Sequence, residues 1–264
     1  MSTSPIIPGA ESFLFSGSST GCLLIHGLTT SPQVIRAVGE QIAKHSGFTV
    51  SGPLLAGHGT TLDDLLLVSP VDWVQNLLDA TDQLCQTCEK VFIGGLSLGA
   101  LLTLYMVGKY TDMFAGAMPI NGGVYSTTTT MAEMLFDPAV DPFIPNGQPD
   151  IKKLNVHEIC YDAMPMQTLR QLFALRDVTR LLLPRITCPT LIIQSRQDRW
   201  VDPQNGPRMF DALNAPDKQL LWLENSYHTA TLDNDQARST KFVATLNGIP
   251  FWHWLDGMMR WLLE

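Results

Sequence analysis

The chain has 264 residues, 45% hydrophobic and only 16% charged, against about 25% charged in a typical domain, so it can bury a large core and is not globally disordered. A net charge of −8, from 17 basic and 25 acidic residues, argues against nucleic acid as the main partner. No apolar run approaches the roughly eighteen residues of a membrane span, and ordinary glycine and proline use excludes collagen-like and low-complexity architectures.

In chain order, short β-type runs alternate with helical patterns. Residues 13–15 form a short candidate strand, and 22–25 a continuous apolar strand that ends in His26-Gly27. A helix follows over about 32–45, then a strand at 48–50. Ser69-Pro70-Val71-Asp72 reads as a helix start, with Ser69 as N-cap and Pro70 at the first helical position. That helix places Val71, Val74, Leu78, Thr81, Cys85 and Cys88 on one face at spacings of three and four. A strand at 91–94, a helix over about 97–107 and a strand at 116–120 come next. The alternation resumes with a strand at 190–194, a helix over 203–213, a strand at 219–223 and a helix over 236–246.

Continuous apolar strands separated by helices predict a mostly parallel sheet covered on both faces. Residues 123–185 interrupt the pattern with no strand-like run, and they read as a helical cap inserted in a core made of 1–122 and 186–264.

Gly95-Leu96-Ser97-Leu98-Gly99 is a G-x-S-x-G match between an apolar strand and a helix-forming run. In that setting the serine sits on a strained turn with its hydroxyl exposed, and the glycines let strand and helix pass closely. A serine hydroxyl becomes a nucleophile only beside a base that a carboxylate orients. His228 lies just past the strand at 219–223, and Asp198 just past the strand at 190–194, with Asp202 as the rival acid. Both therefore lie at carboxyl ends of strands, where such sheets build their sites. Gly27 frees the backbone amide of Leu28 to point inward, and the amide of Leu98 follows the nucleophile; these are the candidate oxyanion donors. His26 and His58 read as braces of the loops around the site.

Cys85 and Cys88 form a C-x-x-C at a helix end with no second pair, so they read as buried thiols and not as a zinc site. Five cysteines do not make a disulfide framework in a chain this long, and residues 1–10 lack a leader's basic and apolar regions, so the expected compartment is the cytoplasm. Seven of the ten arginines fall between Arg170 and Arg208; most read as solvated, and one or two near the site mouth would favour a substrate bearing a carboxylate.

The chain resembles the α/β-hydrolase superfamily, and within it the small bacterial carboxylesterases and monoacylglycerol lipases. The likeness runs from about Cys22 to Leu246 and rests on Leu23-Leu24-Ile25-His26-Gly27-Leu28-Thr29, on Pro53-Leu54-Leu55-Ala56-Gly57-His58-Gly59, on Asp72-Trp73 and on the elbow. Gln194-Ser195-Arg196-Gln197-Asp198 and Ser226-Tyr227-His228 with Thr231-Leu232-Asp233 extend it. It implies an α/β-hydrolase core, a Ser97–Asp198–His228 triad, Leu28 and Leu98 as oxyanion donors, and a small helical cap. The expected activity is hydrolysis of small-molecule esters through an acyl-enzyme, with no metal or cofactor. Thioester, amide or C–C bond hydrolysis on the same fold is the alternative, and a non-catalytic binding protein a more distant one. Phe136, Ile144, Tyr161 and Met164 are the expected substrate contacts, with Met131, Met134, Leu135, Phe143, Ile159, Met166, Leu169, Leu172 and Phe173 as the further candidate lining of the cap. The aromatic tail, 250–264, reads as packing on its own core, with a homodimer contact or a lip over the pocket as the sharper readings.

Overall fold

A computed structural model describes residues 4–125 and 133–236. Among these residues nine strands appear in chain order: β1 (Phe13–Phe15), β2 (Thr20–Ile25), β3 (Thr49–Gly52), β4 (Lys90–Leu96), β5 (Gly116–Ile120), β6 (Phe143–Pro145), β7 (Ala163–Pro165), β8 (Thr190–Ser195) and β9 (Lys218–Leu223). Seven of them form one sheet in the order β1-β3-β2-β4-β5-β8-β9, antiparallel only where β1 meets β3. This is the α/β-hydrolase architecture the sequence predicts.

Burial explains the continuous apolar strands. β5 is buried at every residue and β2 at all but its first, because helices cover both sheet faces. One face packs against α3 (Pro70–Cys85) and α4 (Leu98–Lys109), the other against α1 (Gln33–Ser46). The α1 helix ends at Gly47, whose φ of 66° needs the left-handed region. In α3 the Asp72 carboxylate accepts the Ser69 amide at 2.8 Å, which fixes the expected start.

The buried face of α3 differs from the expected one. Trp73, Leu77, Ala80, Thr81 and Leu84 face inward, while Val71 is exposed. Two apolar stripes compete on this helix, and the one carrying Trp73 wins. Its indole is fully buried and its Nε1 donates to the Ala56 carbonyl at 3.2 Å. Cys85 is accordingly exposed, and of this pair Cys88 alone is buried, beneath Gly21.

The segment between β5 and β8 also departs from a purely helical cap. β6 and β7 form an antiparallel ribbon, pairing Ile144 with Met164, ahead of the long helix α5 (Met166–Leu182). A short helix, α2 (Leu62–Leu66), lies before α3, and α6 (Asn205–Ala212) joins β8 to β9. A separate apolar cluster of Leu135, Met166, Leu169 and Phe173 holds the ribbon and α5 together. Met131, the helix expected over 236–246 beyond its first residue, and the tail at 250–264 lie outside the described residues.

Candidate active site

β4 turns into α4 through a single residue, Ser97, with φ 58° and ψ −110°. That is a strained conformation for a residue with a side chain, held because the amide of Ser97 donates to the Ile120 carbonyl at 2.9 Å. The flanking glycines are steric requirements. A Cβ on Gly95 would stand 2.6 Å from the Ile25 carbonyl oxygen, and one on Gly99 would collide with the same carbonyl. Strand β2, the elbow and α4 thus pack at backbone distance.

The ends of β8 and β9 bring two expected residues together. His228 Nδ1 lies 2.9 Å from Oδ2 of Asp198. The other carboxylate oxygen, Oδ1, accepts the amides of Trp200 and Val201 at 2.9 and 2.8 Å, which fixes its plane. Asp202, the rival acid, accepts the Gln204 amide within its own turn. Burial opposes protonation of His228, but the charge and hydrogen bond of Asp198, then Asp150 and Glu158, outweigh it and raise the imidazole above its ordinary range.

Two residues that sequence reasoning did not single out hold this histidine in place. Asn121, fully buried at φ 48°, donates to the His228 carbonyl at 2.7 Å and accepts the Ser195 amide at 2.7 Å, tying three strand ends together. Asp150 accepts the His228 amide at 3.1 Å through Oδ2 and pairs with Arg199 through Oδ1. Asp233 answers from the other side, accepting the amides of Lys152, Lys153 and Tyr227. An asparagine after an apolar strand, able to adopt positive φ, was the available signal for Asn121; nothing local marks Asp150.

The loop after β2 is equally constrained. Leu55 donates its amide to Nε2 of His26 at 3.1 Å, so the His26 proton sits on Nδ1 and points to the Gly27 carbonyl 2.9 Å away. Thr29 adopts φ 62°, and its hydroxyl accepts from Asn146 at 2.9 Å. These bonds fix the backbone of Leu28. No acceptor among the described residues takes the amide of Leu28 or of Leu98.

His58 packs edge-on to His26, ring centroids 5.0 Å apart, with a buried Nε2 that has no partner among the described residues. Burial lowers His26 well below its ordinary range and takes His58 down to about 4. The unfolded chain therefore binds protons that the fold excludes, and stability should fall as pH drops from about 6.5 towards 4, by about 3 kcal/mol for His58. Urea denaturation at pH 7, 5 and 4 should show this loss, and His58→Phe should flatten it; an equally steep loss in the variant would refute the assignment.

Ser97, Leu98, Asp198 and His228 line one cavity of about 600 Å³ together with residues 27–30. Met134, Ile144, Met164, Leu169, Leu172 and Phe173 supply an apolar wall, while Asp150, Glu158 and Thr229 make a polar end near His228. Glu158 is buried, which raises its carboxyl, and it accepts the Thr229 hydroxyl at 3.2 Å.

Of the four expected substrate contacts, Ile144 and Met164 line the cavity and two do not. Phe136 is 85% exposed, because the tight turn closed by its amide onto Glu133 sends Leu135 inward and Phe136 outward. Tyr161 is buried beside the cavity as a strut, its hydroxyl donating to the Gly57 carbonyl at 2.8 Å and accepting the Thr60 amide at 3.0 Å.

Residues 18–235 match the family described as serine aminopeptidase, S33. A thermostable monoacylglycerol lipase of Bacillus sp. (strain H-257) is 36% identical over 244 residues, covering 91% of this chain and 96% of the relative. A carboxylesterase of Bacillus subtilis (strain 168) is 28% identical over 227 residues, covering 85% and 90%. Among solved structures, one from a study of two metagenome-derived lipolytic enzymes superposes with a TM-score of 0.86 at 40% identity, covering 90% of this chain and 99% of the other. With the family match spanning residues 18–235 and the similarity to lipolytic enzymes covering about nine-tenths of its length, the chain belongs to the serine aminopeptidase S33 family and is an α/β-hydrolase of the esterase and monoacylglycerol lipase type.

Proposed function

We propose that this enzyme hydrolyses carboxylic esters of short-to-medium acyl chains, monoacylglycerols among them, through Ser97, His228 and Asp198. The observation that carries this reading is the 2.9 Å contact of His228 Nδ1 with Asp198 on the cavity that Ser97 lines. It leaves Nε2 of His228 to take the Ser97 proton as Oγ attacks the carbonyl carbon. The negative charge that develops on the carbonyl oxygen is met by the amides of Leu28 and Leu98, each worth about 3 kcal/mol. His228 then gives its proton to the departing alcohol, and water, deprotonated by the same imidazole, releases the acid from Ser97. Asp198 holds the imidazole in one tautomer and stabilises its protonated form.

The cavity divides the substrate between its two ends. The wall from Met134 to Phe173 suits an acyl chain, while Glu158, Thr229 and Asp150 offer polar partners to an alcohol bearing hydroxyls. Relatives described as a monoacylglycerol lipase and a carboxylesterase support this assignment. Each methylene removed from water contributes about 0.8 kcal/mol, nearly fourfold in binding, until the space is filled. Across p-nitrophenyl esters from acetate to palmitate, kcat/KM is expected to peak at roughly four to ten carbons. A rate that keeps climbing to palmitate, or a jump on emulsified triglyceride, would reject the size limit.

A further inference from the structure

Among the described residues, two guanidinium groups line the cavity, and they differ in what they touch. Arg199 pairs with Asp150 and lies over the Tyr227 ring. Arg176 has no comparable partner. Its nearest carboxylate is the adjacent Asp177 at 3.4 Å, an exposed side chain that also faces Arg180 at 3.9 Å. Among the described residues, no acceptor takes the buried Nε of Arg176, whose side chain is only 13% exposed.

The carboxylates of the cavity are engaged elsewhere. Asp150 holds Arg199 and the His228 amide, Glu158 takes Thr229, Asp198 takes His228, and Asp202 takes the Gln204 amide. An arginine stays charged in such surroundings, and the exposed Asp177 carboxylate, shared with Arg180, compensates this mostly buried cation only in part.

The position of Arg176 on its helix says what would complete it. Leu169, Leu172, Phe173 and Arg176 fall at i, i+3, i+4 and i+7, one stripe of α5, and all four line the cavity. Three apolar side chains are followed, about 10 Å along the stripe, by a cation. The Arg176 guanidinium carbon lies 4.0 Å from the centre of the Phe173 ring, a cation–π contact that holds it against the apolar stripe.

We propose that Arg176 forms a carboxylate-recognising end of the acyl pocket, so that the acyl groups this enzyme prefers carry a free carboxylate at their far end, as in monoesters of medium-chain dicarboxylic acids. The reacting end of such a substrate rests on the esterase reading above; the anion subsite rests on the surroundings of Arg176. A single guanidinium in an apolar wall matches one negative charge, whereas a phosphate dianion would leave a charge unmatched.

Monomethyl and dimethyl octanedioate, which differ by one charged end, provide the test. Calorimetry on Ser97→Ala should show the monoester bound on the order of tenfold more tightly than the diester. Adding Arg176→Met, which keeps an unbranched side chain against Phe173, should erase that difference. With Ser97 in place, the ratio of kcat/KM for monoester over diester should fall by a similar factor in Arg176→Met. Arg176→Lys, which keeps the charge without the planar fork, should lie between. Equal affinity of the two esters for Ser97→Ala, or a monoester preference that survives Arg176→Met, overturns the proposal. An equal loss of both esters in Arg176→Met also overturns it, since that would mark a packing residue. Failure of the unsubstituted enzyme to cleave the neutral diester would count against the esterase reading alone, because the calorimetric comparison decides the subsite without turnover.

Discussion

Ser97→Ala is expected to lower kcat by on the order of 10⁶-fold while leaving the melting temperature nearly unchanged. The size of the loss follows from what the hydroxyl does in the proposed mechanism. Without Oγ there is no acyl-enzyme, and His228 has no nucleophile to activate, so only binding and the two amides at Leu28 and Leu98 are left to assist water. The fold should survive for a separate reason. Position 97 already carries a side chain at φ 58°, so alanine adds no backbone strain, and the Ser97 amide keeps its bond to Ile120. Substituting Gly95 or Gly99 would not be a clean test, because a Cβ there collides with the Ile25 carbonyl. Turnover of a p-nitrophenyl ester and labelling by a fluorophosphonate should disappear together. More than a few per cent of the activity in a folded, purified variant would remove Ser97 from its role.

Asp198→Asn should cost on the order of 10⁴-fold in kcat, with Asp202→Asn changing it less than tenfold. An amide in place of the carboxylate can present an N–H to Nδ1 of His228, which favours the tautomer with its proton on Nε2, where it cannot accept from serine. The charge is lost as well. Burial disfavours the protonated imidazole, and Asp198 is the largest of the groups that reverse this, so its removal should lower the His228 pKa. The acid limb of kcat/KM, expected above the ordinary histidine range in the unsubstituted enzyme, should move to lower pH in the residual activity of Asp198→Asn. Asp202 holds only the Gln204 amide of its own turn, so its substitution touches neither the tautomer nor the charge at His228. A reversed ranking of the two variants in steady-state kinetics would reassign the acid.

The sequence by itself determined the parts of this protein whose signals are local. Ser97 between Gly95 and Gly99, after an apolar strand and before a helix, can be read within five residues, because the strain and the close packing arise from backbone next to the serine. Asp198 and His228 could be nominated for a related reason: each follows its strand by a few residues, and parallel topology brings strand ends to one edge. The start of α3 was legible in Ser69, Pro70 and Asp72, since a cap is made within one turn.

Only the tertiary structure decided the rest. The rotation of α3 turned on where the Trp73 indole finds Ala56, not on the helical period, which Val71 and Val74 satisfy equally well. The β6–β7 ribbon joins segments some twenty residues apart through strands of three residues, too short to show a period. Asn121 and Asp150 reach His228 across 107 and 78 residues, and nothing in the sequence beside Arg176 marks it as facing the cavity. Hydrogen bonds and ion pairs of that range leave no mark on the residues beside them, because their energy depends on a distance that exists only once the sheet and its covering helices have formed.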